Sequence, residues 1–153
     1  MALFQGQEEA VAVGSIMAAA LIAVTLHRPM DMVQRVWESA RYYPELAVAV
    51  VEVESQFSPR AERKYKDGSS DWGLWQLNSN WHPQYRKDLA KHTWYGSGYL
   101  LGLLIAYRAG GTGATAAALS HYNHGDQYNG IWYAVRVLAV MDKIKPALMI
   151  GGR

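Results

Sequence analysis

The stretch ESQFSPRAERKYKDGSSDWGLWQLN, Glu54 to Asn78, decides how the rest of the chain is read. It begins at the end of PELAVAVVEVES (Pro44–Ser55), a run whose only charges are Glu45, Glu52 and Glu54. Proline suits a first helical turn and Glu45 suits the positive end of a helix dipole, so a buried helix is predicted. The β-branched run inside it also fits a strand, but length and the proline start favour the helix. Ser58-Pro59 ends the helix and leaves Glu54 in its last turn. Glu52 and Glu54 are about 200° apart around a helix, so only one of them can face a given cleft. Asp67-Gly68 then predicts a tight turn, with a hairpin leading to a second carboxylate at Asp71. A turn requires the Asp-Gly, but not the Asp71, Gln76 and three tryptophans (Trp72, Trp75, Trp81) that follow.

A carboxyl group against apolar walls prefers to keep its proton, because its charged form loses hydration there. Such an acid can protonate a leaving oxygen near neutral pH. Taken alone, a glutamate beside a serine is more often a surface residue. The case for Glu54 therefore depends on its surroundings.

At 153 residues the chain is long enough for one domain with a real core. Half of it is hydrophobic, which excludes a disordered chain. A formal charge of +2 with no basic run argues against a nucleic-acid partner. Cysteine is absent, which excludes disulfides and thiolate metal sites. The six Trp and ten Tyr suit sugar rings, although singly each is better read as core.

Ala10 to Leu26, AVAVGSIMAAALIAVTL, carries no charge and sits at the short limit for spanning a bilayer. Glu8 and Glu9 precede it, where a secretory signal would have Lys or Arg. Arg28 and Arg35 follow it, an arrangement that keeps the remainder of the chain on the cytoplasmic side. Anchor or signal, buried Ala-rich helix, and partner-packing helix all stay open. Residues 1–28 are therefore set apart from a catalytic domain at 29–153. Further helices are expected in MVQRVWESARYY, capped by Asp31, in the polar HPQYRKDLAKH, and in the apolar YGSGYLLGLLIAYRA, ended by Gly110-Gly111. AAALSHYN should start at Thr112 or Thr115 and break at Gly125; IWYAVRVLAVMDKI should close at Pro146. The expected fold is mostly α, a helical bundle around a cleft with at most one small β-hairpin.

Three segments carry a family resemblance: ESQFSPRA, DGSSDWGLWQLNSNW and LSHYNHG. In this order and spacing they resemble the lysozyme-like superfamily, most closely its lytic transglycosylases. Those show an ES-x-F-x-P-x-A stretch, a G-L-x-Q turn and a Y-N-x-G loop. The D-x-G-L-x-Q-x-N variant is similar to small transglycosylases that accompany secretion machines. The hairpin is also similar to that of c-type lysozymes, which carries a second catalytic carboxylate. The resemblance covers roughly residues 44–138 and implies an α+β lysozyme-like fold.

It further implies a peptidoglycan glycan strand as substrate, cut at the MurNAc-GlcNAc β-1,4 bond, with no cofactor and no metal. Glu54 falls on the catalytic acid and Ser55 on the serine that orients acid or substrate. Gly73, Leu74, Trp75, Gln76 and Asn78 fall on the cleft-lining turn, and Tyr122, Asn123 and Gly125 on the facing loop. Tyr122 is placed to hydrogen-bond Glu54 or substrate. Tyr99 and Leu100 match a supporting helix. Trp75 stands where these enzymes often have Met, and His124 where a small residue is usual. Asp71 lies 17 positions after Glu54, the lysozyme interval, and is the candidate second carboxylate of a hydrolase. In a transglycosylase it would only cap the turn. A catalytically inactive glycan binder is the third reading.

A metal site at His121, His124 and Asp126 is disfavoured, because Asn123 and Gly125 should interrupt the helix. Partners implied are the glycan strand, a membrane through residues 10–26, and a secretion apparatus or virion. The expected location is the cell envelope, periplasm or another extracytoplasmic site, membrane-anchored or not; the alternative is a virion-associated protein or one released at lysis.

Overall fold

The computed structural model describes the backbone of residues 2–150 and the side chains of residues 13–150. Six α-helices run α1 (Ala2–Leu26), α2 (Met30–Ser39), α3 (Pro44–Ser55), α4 (Leu89–Tyr107), α5 (Ala114–His124) and α6 (Ile131–Ile150). Three short strands, β1 (Glu62–Lys64), β2 (Ser70–Trp72) and β3 (Leu77–Asn78), lie between α3 and α4. They form one antiparallel sheet in the order β1-β2-β3, one strand more than a hairpin.

α3 is the central element. Leu46 through Val51 are all buried, so this helix has protein on every side and needs no polar face. α2 and α6 pack against it, and α1 packs on both of those. Ala18, Ala19, Ile22, Ala23 and Leu26 of α1 are part of the same core. Among the described residues no helix is long and apolar enough to cross a membrane. The side chains of residues 10–12, which open the apolar segment, lie outside the described residues.

At the end of α1, Arg28 makes two 2.8 Å hydrogen bonds to the Glu52 carboxylate. That pairing commits Glu52 to the α1 side of α3 and leaves the opposite side to Glu54, as the helical spacing requires. The chain leaves α3 through two consecutive left-handed residues, Gln56 (φ 52°) and Phe57 (φ 61°). This conformation is costly for residues with a Cβ, by about 1 kcal/mol each. Here it reverses the chain at once, so that the sheet is laid beside the end of α3. The buried Phe57 ring fixes the reversal in place.

Several boundaries differ from those the sequence suggests. The polar stretch from His82 forms an irregular loop, and α4 begins only at Leu89, with the Asp88 carboxylate accepting from the Lys91 amide. Arg86 holds that loop to the sheet, 4.6 Å above the Trp72 ring and hydrogen-bonded to Glu62 and Ser70. Those side-chain contacts replace helical hydrogen bonds. The first turn of α2 starts after Pro29, with Asp31 inside it and making no side-chain cap. α6 runs past Pro146 to Ile150. A mid-helix proline gives up one backbone hydrogen bond but does not end a helix held by packing on both sides of it. Ile144 and Ala147 are both buried.

Two glycines of α4 separate packing from propensity. A Cβ on Gly96 would sit 2.3 Å from the Trp75 ring, whereas one on Gly98 meets nothing within 4 Å. Gly96→Ala should therefore destabilise the fold by about 1–3 kcal/mol through overpacking. Gly98→Ala should stabilise it by about 0.5–1 kcal/mol through helix propensity. Urea denaturation of the two variants checks both signs.

Candidate active site

A cleft of about 610 Å³ opens between the sheet and the C-terminal ends of α3 and α5. Its lining includes Glu54, Asp71, Gln76, Asn78, Tyr122, Asn123 and Gly125, brought together from the three segments that the sequence singled out. Tyr65, Leu77, Trp81, His82, Tyr99, His121 and His124 complete it.

Glu54 opens to the cleft with part of its surface, while the rest of the side chain is packed in protein. Loss of hydration raises its pKa to about 7, and the nearby negative charge of Asp71 acts in the same direction. Tyr133, Arg136 and Arg63 pull the other way without cancelling the shift. The acid is thus poised to carry its proton at neutral pH. Tyr133, on α6, is the neighbour that the sequence did not reveal. Its hydroxyl is buried and has no partner of good hydrogen-bond geometry, yet it lies close enough to the Glu54 carboxyl to favour the charged form. It lies 79 positions from Glu54, inside an ordinary amphipathic helix, and only the three-dimensional packing reveals it.

Asp71 is held from both flanks. Its Oδ1 accepts from Asn78 Nδ2 at 2.9 Å and its Oδ2 accepts from the Tyr65 hydroxyl. The register explains this: Asp71 is paired with Asn78 across the β2–β3 ladder. Asn78 in turn accepts from the Asn80 amide at 2.9 Å, so the carboxylate and its partner amide are both fixed. Asp67 performs the turn chemistry, accepting from the Ser69 amide and hydroxyl.

Five of the expected site residues serve the framework, and a sixth, Gln76, does so in part. Ser55 donates to the Leu74 carbonyl at 2.9 Å and to the Val51 carbonyl at 3.3 Å, so it ties α3 to the Gly73–Gln76 turn and does not orient the acid. Leu74 and Trp75 are fully buried, which removes Trp75 as a stacking platform. Gly73 (φ +75°) is needed because a Cβ there would meet the His92 ring at 2.5 Å. Tyr122 donates to the Trp75 carbonyl at 2.7 Å, so its hydroxyl fixes the turn and is not the partner of Glu54. The Gln76 amide donates to the Ala61 and Gly73 carbonyls, at 3.1 and 2.9 Å, and keeps only Oε1 for a ligand. Glycine at 73 and the positive φ of Gln76 (45°) give this turn its shape.

The three tryptophans have different fates: Trp75 is core, Trp72 lies beneath Arg86, and Trp81 is 80 % exposed at the cleft. Tyr99, taken for a supporting residue, lines the cleft and contacts the rings of His82 and Tyr122 at 4.5 and 5.5 Å. α5 continues through His124, so the helix is not interrupted at Asn123, and Gly125 forms its left-handed cap. Asp126 is occupied by the amides of Tyr128 and Asn129, and His121 by the Tyr107 hydroxyl. Among the described residues no group of three His, Asp or Glu side chains could hold a metal ion.

A glutamate that retains its proton near neutral pH and an aspartate fixed by its neighbours thus line one cleft. Residues 41–95 match the family described as lysozyme like domain. Over those residues the chain is similar to that domain. Comparison with curated proteins and with solved structures gives no match. The matched segment holds α3, the sheet and the start of α4, and therefore both carboxylates. The α5 and α6 walls of the lysozyme-like site lie beyond it. The match places the chain with peptidoglycan-acting enzymes in general, while bond and product are decided by the chemistry of the site.

Two buried groups give stability opposite pH dependences. The raised pKa of Glu54 means that the folded state holds its proton more tightly than the unfolded chain does. The associated stability is complete below pH 4.5 and is lost as pH rises to about 7. His92 is buried and its pKa falls to about 4, so its contribution is lost as pH falls from 6.5 to 4. Glu54→Gln removes only the first effect. The variant should match the parent near pH 4.5 and exceed it by on the order of 2 kcal/mol at pH 8, read from denaturant midpoints.

Proposed function

We propose that the protein is a peptidoglycan lytic transglycosylase in which Glu54 serves first as acid and then as base. The protonated carboxyl delivers its proton to the oxygen bridging MurNAc and GlcNAc, and the C1–O bond breaks with positive charge spread over C1 and the ring oxygen. Glu54, now a carboxylate, takes the proton from the C6 hydroxyl of the same MurNAc. That oxygen closes on C1 to give a 1,6-anhydro ring, and the acid is restored. One group suffices, because a pKa near 7 lets it release and regain a proton in turn. The supporting observation is the contrast between the two carboxyls: Glu54, its pKa raised to about 7 by loss of hydration, is open to the cleft, while both oxygens of Asp71 are engaged by Tyr65 and Asn78. Gln76 Oε1 and the Asn123 amide offer hydrogen bonds to hydroxyl and N-acetyl groups without titrating. Trp81 offers a ring face to a sugar.

A second reading is favoured by one fact: Asp71 lines the same cleft as Glu54. A lysozyme-type hydrolase would use it as nucleophile or charge stabiliser and release reducing ends. With either outcome the substrate lies in the cell wall, so the site of action is extracytoplasmic, reached through the envelope, a secretion apparatus or a virion.

Mass spectrometry of muropeptides after digestion of purified peptidoglycan distinguishes the two. Transglycosylation gives anhydro ends, lighter by one water than reducing ends. Glu54→Gln should abolish release. Asp71→Asn should keep the anhydro product with a rate loss within about tenfold, whereas a nucleophile would cost on the order of a thousandfold or more. The rate should hold below pH 7 and fall above it, as the acid loses its proton. Reducing ends with a rate that collapses in Asp71→Asn would establish the hydrolase.

A further inference from the structure

Two guanidiniums that the reaction does not employ lie outside the cleft lining, yet near enough for their charge to reach the acid. Arg63 stands on β1 directly opposite Asp71 in the antiparallel register. Directly paired side chains share one face of a sheet, so Arg63 is on the cleft side. Its guanidinium lies 5.7 Å from the centre of the Tyr65 ring, and the same tyrosine bonds Asp71. Arg136 stands on α6, three positions beyond Tyr133 and hence on the same helix face. Its guanidinium is 5.9 Å from the Trp132 ring. Both charges are close enough to the Glu54 carboxyl to favour its ionised form.

Neither arginine makes a salt bridge among the described residues, although acids are at hand. Glu62 is taken by Arg86, and Asp71 by Tyr65 and Asn78. Both arginines are exposed, and each is braced on an aromatic ring, which limits its freedom. Arg63 also shares a hydrogen bond with Tyr65, but neither guanidinium is neutralised by a carboxylate, and such planar donors are well suited to bind one in bidentate fashion.

We propose that Arg63 and Arg136 form a carboxylate-recognition site at the margin of the cleft beside Glu54, selecting glycan strands that bear carboxylate substituents. The inference rests on the transglycosylase reading and adds the charge of the substrate to it. A strand can supply that group from a peptide stem or from the lactyl group of a stem-free MurNAc. Both sources present the same planar anion.

The test uses the full chain with both arginines changed, Arg63→Gln and Arg136→Gln, and three glycans: peptide-bearing strands, amidase-stripped strands that keep the lactyl carboxylate, and neutral chitin oligosaccharides. Binding is measured in the Glu54→Gln background and cleavage in the active protein. The double change should weaken binding to at least one carboxylate-bearing glycan by about tenfold and leave chitin binding unchanged. Whichever carboxylate glycan is affected more identifies the source. Added salt should erase the parent's preference. In cleavage the loss should fall on KM. The alkaline limb should also move to higher pH, since two cations no longer favour ionised Glu54, while Tyr133 and Asp71 still face it. Equal weakening on all three glycans, or none on either carboxylate glycan, overturns this inference and leaves cleavage intact. A parent protein that releases no muropeptide overturns the transglycosylase reading and this inference with it.

Discussion

Placing one carboxyl at the end of a helix whose central run is buried is the constraint on which this structure depends. Leu46 to Val51 have protein on every side, so Glu54, one turn further on, lies partly in protein and partly in the cleft. The environment withholds enough hydration to retain the proton and leaves enough opening to pass it on. The apolar length of α3, the pairing of Glu52 with Arg28, and the sharp left-handed exit at Gln56 and Phe57 all serve that placement. Moving the exit by one residue would turn the acid about 100° around the helix, away from the cleft.

The polar groups around the acid are mostly engaged with backbone. Ser55, Tyr122 and Gln76 hold the carbonyls of Leu74, Trp75, Gly73 and Ala61. All of these bonds converge on the turn from Gly73 to Gln76. This turn lies against α3, α4 and α5 at once, so fixing it fixes the distance across the cleft. His92 closes it from below, where its ring occupies the space that a side chain at Gly73 would need. Side chains that look like ligands for sugar in the sequence are therefore, in good part, the means by which the walls of the groove keep their spacing. That division agrees with the general requirement that catalytic groups be held by neighbours whose own rotamers are locked.

Much of this was legible before any coordinates. The proline start and serine-proline stop locate Glu54 in a last turn, and the Asp67-Gly68 pair locates Asp71 in a strand. Both signals are local. The backbone bonds of Ser55 and Tyr122 are not legible in the letters, because a motif specifies which residues recur together, not which atom faces which. A tryptophan beside a glutamine reads the same whether its ring meets a sugar or Gly96. Tyr133 was invisible for a related reason: its part in the site arises from the packing of α6 on α3, and no periodicity marks one buried tyrosine out from another. The apolar run of α1 is ambiguous in principle, since a helix apolar on all sides suits a lipid and a protein interior equally. Its contacts with α2 and α6 supply what the letters could not.

The energetics of the site give the same account from the side of stability. Retaining a proton at neutral pH means that Glu54 opposes folding above its ordinary range, and the left-handed residues beside it add backbone strain of the same sign. Such costs are tolerable only where the surroundings over-determine the conformation. Here the surroundings are unusually redundant: the core residues of α3, the Ser55 bond, and the Tyr122 bond each hold the same few atoms in place. A site that merely bound a glycan would gain nothing from an acid kept protonated at this expense, because a glutamine in that position would bind as well and fold better. An ionisable group where a neutral amide would be more stable thus favours the proposed proton transfer over adhesion alone.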